Sequence, residues 1–177
     1  GQHCLIVSQV GIAGSTKLYE TAGNAVAHAA VESCVNIMRQ KTQAVKGRVI
    51  KTIGDEVMSA FHNADDAADA AIEMQLAISE LPPVGNTTLG IRIGFNYGPV
   101  VERDGDVFGD AVNVASRLAV VASKGQIITA RDTVMMMSPR LKASTRAITT
   151  IQVKGKAHEI QVYELMWQHS QDMTTLA

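Results

Sequence analysis

Aromatic residues are scarce in this chain: Phe, Trp and Tyr together make up 4% of its 177 residues. With so few ring faces it is a poor platform for stacking the bases of a single strand. Neither sign of charge dominates, since 16 Lys and Arg face 17 Asp and Glu for a formal net charge of −1. No basic field therefore points to nucleic acid as a partner. Only two cysteines occur, Cys4 and Cys34, without metal-ligand spacing. Cys34 lies on an apolar helical stripe and reads as core, which fits a reduced, cytoplasmic compartment. No apolar run approaches the ~18 residues that a membrane helix needs, and no secretory signal pattern opens the chain. It begins at Gly1 rather than Met, so a piece of a longer protein is expected, with a processed start as the alternative.

What is present suits one globular domain with a substantial core, undivided by repeats, low-complexity tracts or linkers. Residues 4–10 read as a short, mostly buried strand. Gly11, Gly14 and Ser15 are expected to turn the chain into a helix whose stripe includes Ala27, Val31, Cys34 and Met38. Two β-rich runs, 47–53 and 56–62, meet at Gly54-Asp55 and predict a hairpin with an acidic tip. Asn63 caps a second helix, with Asp65 and Asp66 at its positive end and Pro82-Pro83 as its stop. Leu89 to Val101 is the longest strand expected, ending in a turn at Gly98-Pro99. A strand at 126–129, a short helix at 131–137 and a strand pair at 146–153 and 158–166 follow. The order β-α-β-β-α-β predicts an α+β fold, a ferredoxin-like sheet covered by helices.

The most informative stretch is 106–118, Asp-Val-Phe-Gly-Asp-Ala-Val-Asn-Val-Ala-Ser-Arg-Leu. A turn at Gly109 leads to Asp110, the expected helix N-cap. Ala111, Ala115, Leu118 and Ala122 fall on one stripe, while Asn113 and Arg117, four apart, emerge together opposite. Val112, Val114, Val120 and Val121 fill much of the remaining circumference. A helix apolar nearly all round is expected to be buried, with its amide and guanidinium facing something polar and enclosed. A phosphate-bearing ligand or a subunit interface would satisfy both groups.

This stretch resembles the signature of the class III nucleotidyl cyclases, the adenylyl and guanylyl cyclases. The blocks Lys51-Thr-Ile-Gly-Asp-Glu-Val-Met58, Arg92-Ile-Gly-Phe-Asn-Tyr-Gly-Pro99 and Val153-Lys-Gly-Lys156 match the family in the right order. The resemblance runs over about residues 4–166, so residues 1–177 are expected to form a single cyclase homology domain. It implies a ferredoxin-like α/β sandwich, conversion of ATP to 3′,5′-cyclic AMP and pyrophosphate, two Mg²⁺ or Mn²⁺ ions, and a homodimer with its sites at the interface. One block departs. Aligned through Ile12-Ala-Gly-Ser-Thr16, Gly11 stands where the family has the first of its two metal-binding Asp residues.

The chemistry explains the rest of the pattern. Attack of a ribose 3′-oxygen on the α-phosphate needs divalent ions to lower that oxygen's pKa and neutralise phosphate. It also needs a cation for the charge that develops in the transition state. Asp55 matches the hairpin Asp that holds metal, and the Ile12 backbone carbonyl matches a further ligand. Glu56, next in sequence, is expected on the other strand face, in a structural or solvent-facing role. Lys51 and Asp106 match the pair that reads adenine, whose N6 donor and N1 acceptor want a carboxylate and an ammonium; guanine reverses that polarity. Taken alone, Lys51 is a solvated strand lysine and Asp106 a turn residue. Asn113 matches the residue that orients ribose, and Arg117 the one that stabilises the transition state through its permanently charged fork. Lys154 matches the lysine that reaches the terminal phosphates, with Lys156 the weaker candidate and a solvated turn the alternative. Five histidines form no ligand pattern, and Met135, Met136 and Met137 read as core filler.

Gly11 offers no side-chain oxygen, and Gln9, of the same strand parity, is neutral and one step back. Three readings stay open: an adenylyl cyclase domain impaired at the metal site, a catalytically dead nucleotide-binding or dimerisation module, and a guanylyl cyclase. A cyclic-dinucleotide synthase, suggested by Gly54-Asp-Glu56, lacks its double Gly and does not account for the Asn113–Arg117 helix.

Overall fold

The alternation of apolar residues along the first strand sets the architecture. In the computed structural model, which describes residues 2–155 and 158–168, β1 (Gln2–Ala13) lies in the middle of one sheet. Helices α1 (Ser15–Ala22) and α2 (Asn24–Ala44) follow, then the hairpin β2 (Arg48–Ile53) and β3 (Glu56–Phe61), and α3 (Ala64–Ser79). Strand β4 (Gly90–Arg103) turns back as β5 (Asp106–Phe108) and leads into α4 (Asp110–Val121). Strand β6 (Ile127–Ala130), the short helices α5 (Arg131–Val134) and α6 (Pro139–Lys142), and the pair β7 (Thr145–Ile151) and β8 (Ile160–Leu165) come last. The sheet order is β2-β3-β1-β4-β6-β8-β7, with β5 paired to β4. Within β2-β3-β1-β4 every neighbouring pair is antiparallel, the ferredoxin-like arrangement expected from the element order.

Ile6, Val10 and Ile12 of β1 join Phe61, Ile91, Ile93 and Phe95 under Leu18, Val31, Cys34, Met38, Met74 and Ile78. The intervening Leu5 and Val7 point the other way, with Met58, Ala60 and Val100, under Ala111 and Ala115 of α4. Each fully buried Ile, Leu or Phe contributes about 1.5–3 kcal/mol, so this two-sided division specifies the register of β1 strongly. Helix α4 sits very close to the sheet. A Cβ on Gly94 would come within 2.4 Å of the Ala119 nitrogen and 2.7 Å of the Ala115 oxygen, so only glycine permits this approach.

Several expectations are corrected. Gly11 does not turn the chain: it lies inside β1, which pairs with β3 and β4 and reaches Ala13 before Gly14 (φ 98°) turns it. Paired on both edges, β1 gains ladder bonds that outweigh the weak strand preference of glycine. The first helix is two helices, broken at Gly23. β4 runs straight through Gly98-Pro99 and reverses at Asp104-Gly105. Its second edge carries β6 only at 93–95 and β5 only at 101–103, leaving room for a residue without an N–H. Gly109 (φ 119°), not Asp110, is the N-cap of α4, and Asp110 is its first acidic residue. Met135 and Met136 are exposed, and only Met137 joins the core. Asn63 does cap α3, its Oδ1 accepting from the Asp66 backbone N–H at 2.8 Å.

Candidate active site

Gly54, with φ 59°, closes the tip between β2 and β3 and presents Asp55 beside the end of β1. The buried Ser15 hydroxyl at the start of α1 donates to Asp55 Oδ2 at 2.7 Å, fixing the carboxylate's orientation. Gly11 lies opposite Glu56 on β3 and opposite Arg92 on β4. Residues directly opposite across a ladder share a face, so Glu56 lies on the side of Gly11 rather than on the other face, although it is exposed, as expected of a solvent-facing residue. A Cβ at residue 11 would have Glu56 Cγ and Oε1 as its nearest neighbours, each at 3.8 Å. Gln9, two residues back on the same face and 7% exposed, donates from Nε2 to Glu56 Oε2 at 3.1 Å. Its own Oε1 is buried and, among the described residues, has no hydrogen-bond partner. Gln9, Gly11, Ile12, Asp55, Glu56 and Arg92 line one cavity of about 220 Å³, together with Ser116, Ala119 and Val120 of α4. Its oxygen-rich lining is the donor type that Mg²⁺ or Mn²⁺ takes, so the residues present fit a hard cation, with fewer carboxylates than a site carrying Asp at residue 11.

A second grouping forms on the hairpin's other strand. Lys51 Nζ donates to Asp106 Oδ2 at 3.0 Å, joining segments 55 residues apart, and the Val107 N–H donates to Asp106 Oδ1 at 2.7 Å. Ile50, Met58 and Val107 belong to the apolar cluster beside the pair. The Lys51 ammonium, and after it the Val107 N–H, hold the Asp106 carboxyl below the usual carboxylate range.

The third grouping is on α4. Asn113 and Arg117 are exposed, and among the described residues neither side chain makes a hydrogen bond or ion pair. Val120, one turn beyond Arg117, is 70% exposed. The helix is therefore covered on its sheet side only, not all round as its composition predicted, because a single chain offers it one layer. Lys154 is exposed in the turn after β7, and Lys156 lies outside the described residues. The 220 Å³ cavity includes neither Arg117 nor the Lys51–Asp106 pair. A larger cavity, about 550 Å³, lies elsewhere by α5 and the start of β8 and holds none of the expected site residues. Gln9, Ser15 and Arg92 were not singled out as site residues from the sequence. Parity marked Gln9 as facing with Gly11, but only the β1–β3–β4 register puts Glu56 and Arg92 on either side of it.

The class that this sheet, hairpin tip and exposed α4 stripe define is met by the comparisons with known proteins. The family model of the adenylate and guanylate cyclase catalytic domain matches residues 3–167, and the chain belongs to that family, whose members are phosphorus–oxygen lyases. An adenylate cyclase of Streptomyces coelicolor is 45% identical over 82 residues, 46% of this chain and 20% of that protein. An adenylate cyclase of Glutamicibacter nicotianae is 33% identical over 123 residues, 67% of this chain and 28% of that protein. The chain thus spans no more than about a third of the length of these curated relatives. The crystal structure of an adenylate/guanylate cyclase/hydrolase from Silicibacter pomeroyi superposes with a TM-score of 0.83 at 26% identity, covering 94% of this chain and 98% of that one. No helix among the described residues is long and apolar enough to cross a membrane.

Proposed function

We propose that this domain converts ATP to 3′,5′-cyclic AMP and pyrophosphate in a cytoplasmic homodimer, at a rate limited by its incomplete metal site. The observation that carries the choice of base is the Lys51–Asp106 pair at 3.0 Å. Between them the ammonium donates and the ionised carboxylate accepts, the complement of adenine's N1 and N6 rather than of guanine's edge. The low pKa of Asp106 keeps it an acceptor throughout the neutral range.

Residues on this chain then divide the labour. Asp55, held by Ser15, with the Ile12 carbonyl, would hold Mg²⁺ or Mn²⁺, whose chemistry is to acidify the ribose 3′-hydroxyl and neutralise phosphate charge. Arg92, beside that cavity, suits the phosphates. Asn113 orients the ribose and Arg117 meets the charge developing on the phosphorane, while Lys154 reaches the outer phosphates. Because Asn113 and Arg117 are exposed and neither lines the Asp55 cavity, we assign the complete site to a two-fold dimer. One protomer supplies Asp55 and its partner supplies Lys51, Asp106, Asn113 and Arg117.

Gly11 favours one competing reading, a domain that binds nucleotide without turning it over. The two separate in an assay of the purified chain with Mn²⁺ and either ATP or GTP, read by mass spectrometry of the cyclic product. Cyclic AMP in excess over cyclic GMP is expected, and its loss in Arg117→Ala. Nucleotide binding with no cyclic product from the parent or from Gly11→Asp would favour the inactive module.

A further inference from the structure

We propose that the cavity of about 550 Å³ by α4, the end of β6 and the start of β8 is a second ligand site, taking a small uncharged molecule of the nucleobase or nucleoside class on the side-chain amide of Asn96. Side chains alternate along β4. A Cβ on Gly94 would meet α4 at Ala115 and Ala119, and one on Gly98 would meet it at Ala111. Asn96, midway between them, therefore projects its amide to the same face, where Val114 of α4 borders the cavity. The residue is only 6% exposed, yet its side chain makes no hydrogen bond among the described residues. Neither of its amide atoms is one of the fully enclosed polar atoms that lack a partner, so the group opens on the cavity rather than into packed protein. A nine-tenths buried amide with no protein partner calls for explanation, and a ligand in the cavity supplies one.

The lining selects the ligand. Val114, Ala130 and Ile160 give the interior an apolar wall, and the volume suits a small organic molecule. Asn96 offers a donor, Nδ2, beside an acceptor, Oδ1. That pattern pairs with the edge of a purine such as adenine, which carries an amino donor next to a ring acceptor. At the more exposed rim, Arg131 is outnumbered by the carboxylates of Asp132 and Glu159. A phosphate is thereby disfavoured and an uncharged molecule admitted. Folding alone would be served better by a leucine at residue 96, which forfeits no amide hydration. Val114 stands next to Asn113 on α4, so an occupied cavity braces the helix that carries Asn113 and Arg117; that consequence, unlike the binding, rests on the cyclase reading.

The test is titration of the ¹⁵N-labelled full chain with adenosine, read from the Asn96 side-chain amide resonance, with a thermal melt for every variant. Adenosine is expected to shift that resonance, and adenosine monophosphate to bind at least tenfold more weakly. Asn96→Leu is expected to raise the adenosine Kd at least tenfold without lowering Tm. Ile160→Trp, which fills the cavity from β8, carries the same expectation for Kd and frees the test from dependence on one variant. No shift of the resonance, an unchanged Kd in either folded variant, or equal binding of adenosine monophosphate overturns the proposal. Loss of binding in Lys51→Ala alone would put adenosine at the Lys51–Asp106 pair, overturning the proposal and leaving the cyclase reading standing. The expected shift and Kd changes in a chain that makes no cyclic nucleotide would support the site and remove that reading.

Discussion

Gly11→Asp is the most informative single change, because the structure sets both its cost and its gain. Gly11 has ordinary strand geometry, and its new Cβ would meet Glu56 Cγ and Oε1 at 3.8 Å, normal contact distance. The backbone therefore accepts the side chain. A like-charged cross-strand pair costs about 0.2–1 kcal/mol, and replacing glycine within a strand returns about 0.5–1 kcal/mol. The two offset, so without metal the Tm should move by less than roughly 4 °C. Activity should respond far more. In the two-ion site that the proposed function implies, a second carboxylate would act on the attacking oxygen and the phosphates together, and we expect at least a hundredfold rise in kcat/KM, about 2.7 kcal/mol of transition-state stabilisation. The assay is cyclic AMP formation at saturating Mn²⁺, with dimerisation checked by sedimentation. An unchanged rate in a folded, dimeric Gly11→Asp protein would refute the reasoning and favour an inactive module.

Other outcomes follow from the same geometry. Lys51→Glu with Asp106→Cys should lower the ATP-to-GTP ratio of kcat/KM at least tenfold, about 1.4 kcal/mol, while either change alone mainly weakens binding; tighter binding of GTP than ATP by the parent would show the pair misassigned. The pKa of Asp106 is lowered on folding, chiefly by Lys51, so its stabilising contribution is present above the unfolded value of about 3.9 and is lost as pH falls through the folded value. The stability gap between the parent and Asp106→Asn, from denaturant melts, should thus hold constant above about pH 5 and shrink in more acid solution; a gap that varies across neutral pH would contradict this. Gly94→Ala should destabilise by about 1–3 kcal/mol, since its Cβ would press the α4 backbone at Ala119 and Ala115. It should also cut activity by displacing Asn113 and Arg117. A neutral melt for that variant would show that α4 has room to move.

The sequence carried the elements well where a single local signal ruled. Asn63 capping α3, the tip at Gly54-Asp55 and the β-α-β-β-α-β order all came from short-range chemistry. It misled where pairing partners decide: Gly11 and Gly98-Pro99 look like turn residues, yet both lie in strands held by β1–β4 pairing. Glu56 is exposed, as a solvent-facing residue should be, but its face differs from the expectation for a related reason. Strand alternation placed it opposite Asp55, but Asp55 belongs to the tip, and the face of Glu56 is fixed by its register with Gly11. Lys51 and Asp106, ordinary residues individually, gained their meaning from matching family blocks, and the fold brings them into contact. For α4 the composition said burial on every side; one chain covers only half of the helix, and the exposed Asn113, Arg117 and Val120 stripe is what no single-chain pattern could allot to a partner.

That allotment is tested most directly by mixing two proteins. The parent carries Arg117 but lacks the carboxylate at residue 11, so both sites of the proposed dimer would be deficient in metal ligands. A Gly11→Asp, Arg117→Ala chain has both carboxylates but no arginine, so both of its own sites lack the transition-state cation. In a mixed dimer, one site combines the variant's two Asp residues with the parent's Arg117, and the other lacks both groups. Shared sites predict cyclic AMP production well above the sum of the separate rates, greatest near equal proportions and rising with protein concentration. A strictly additive rate, with subunit exchange shown independently by fluorescence transfer, would contradict a site built across two chains.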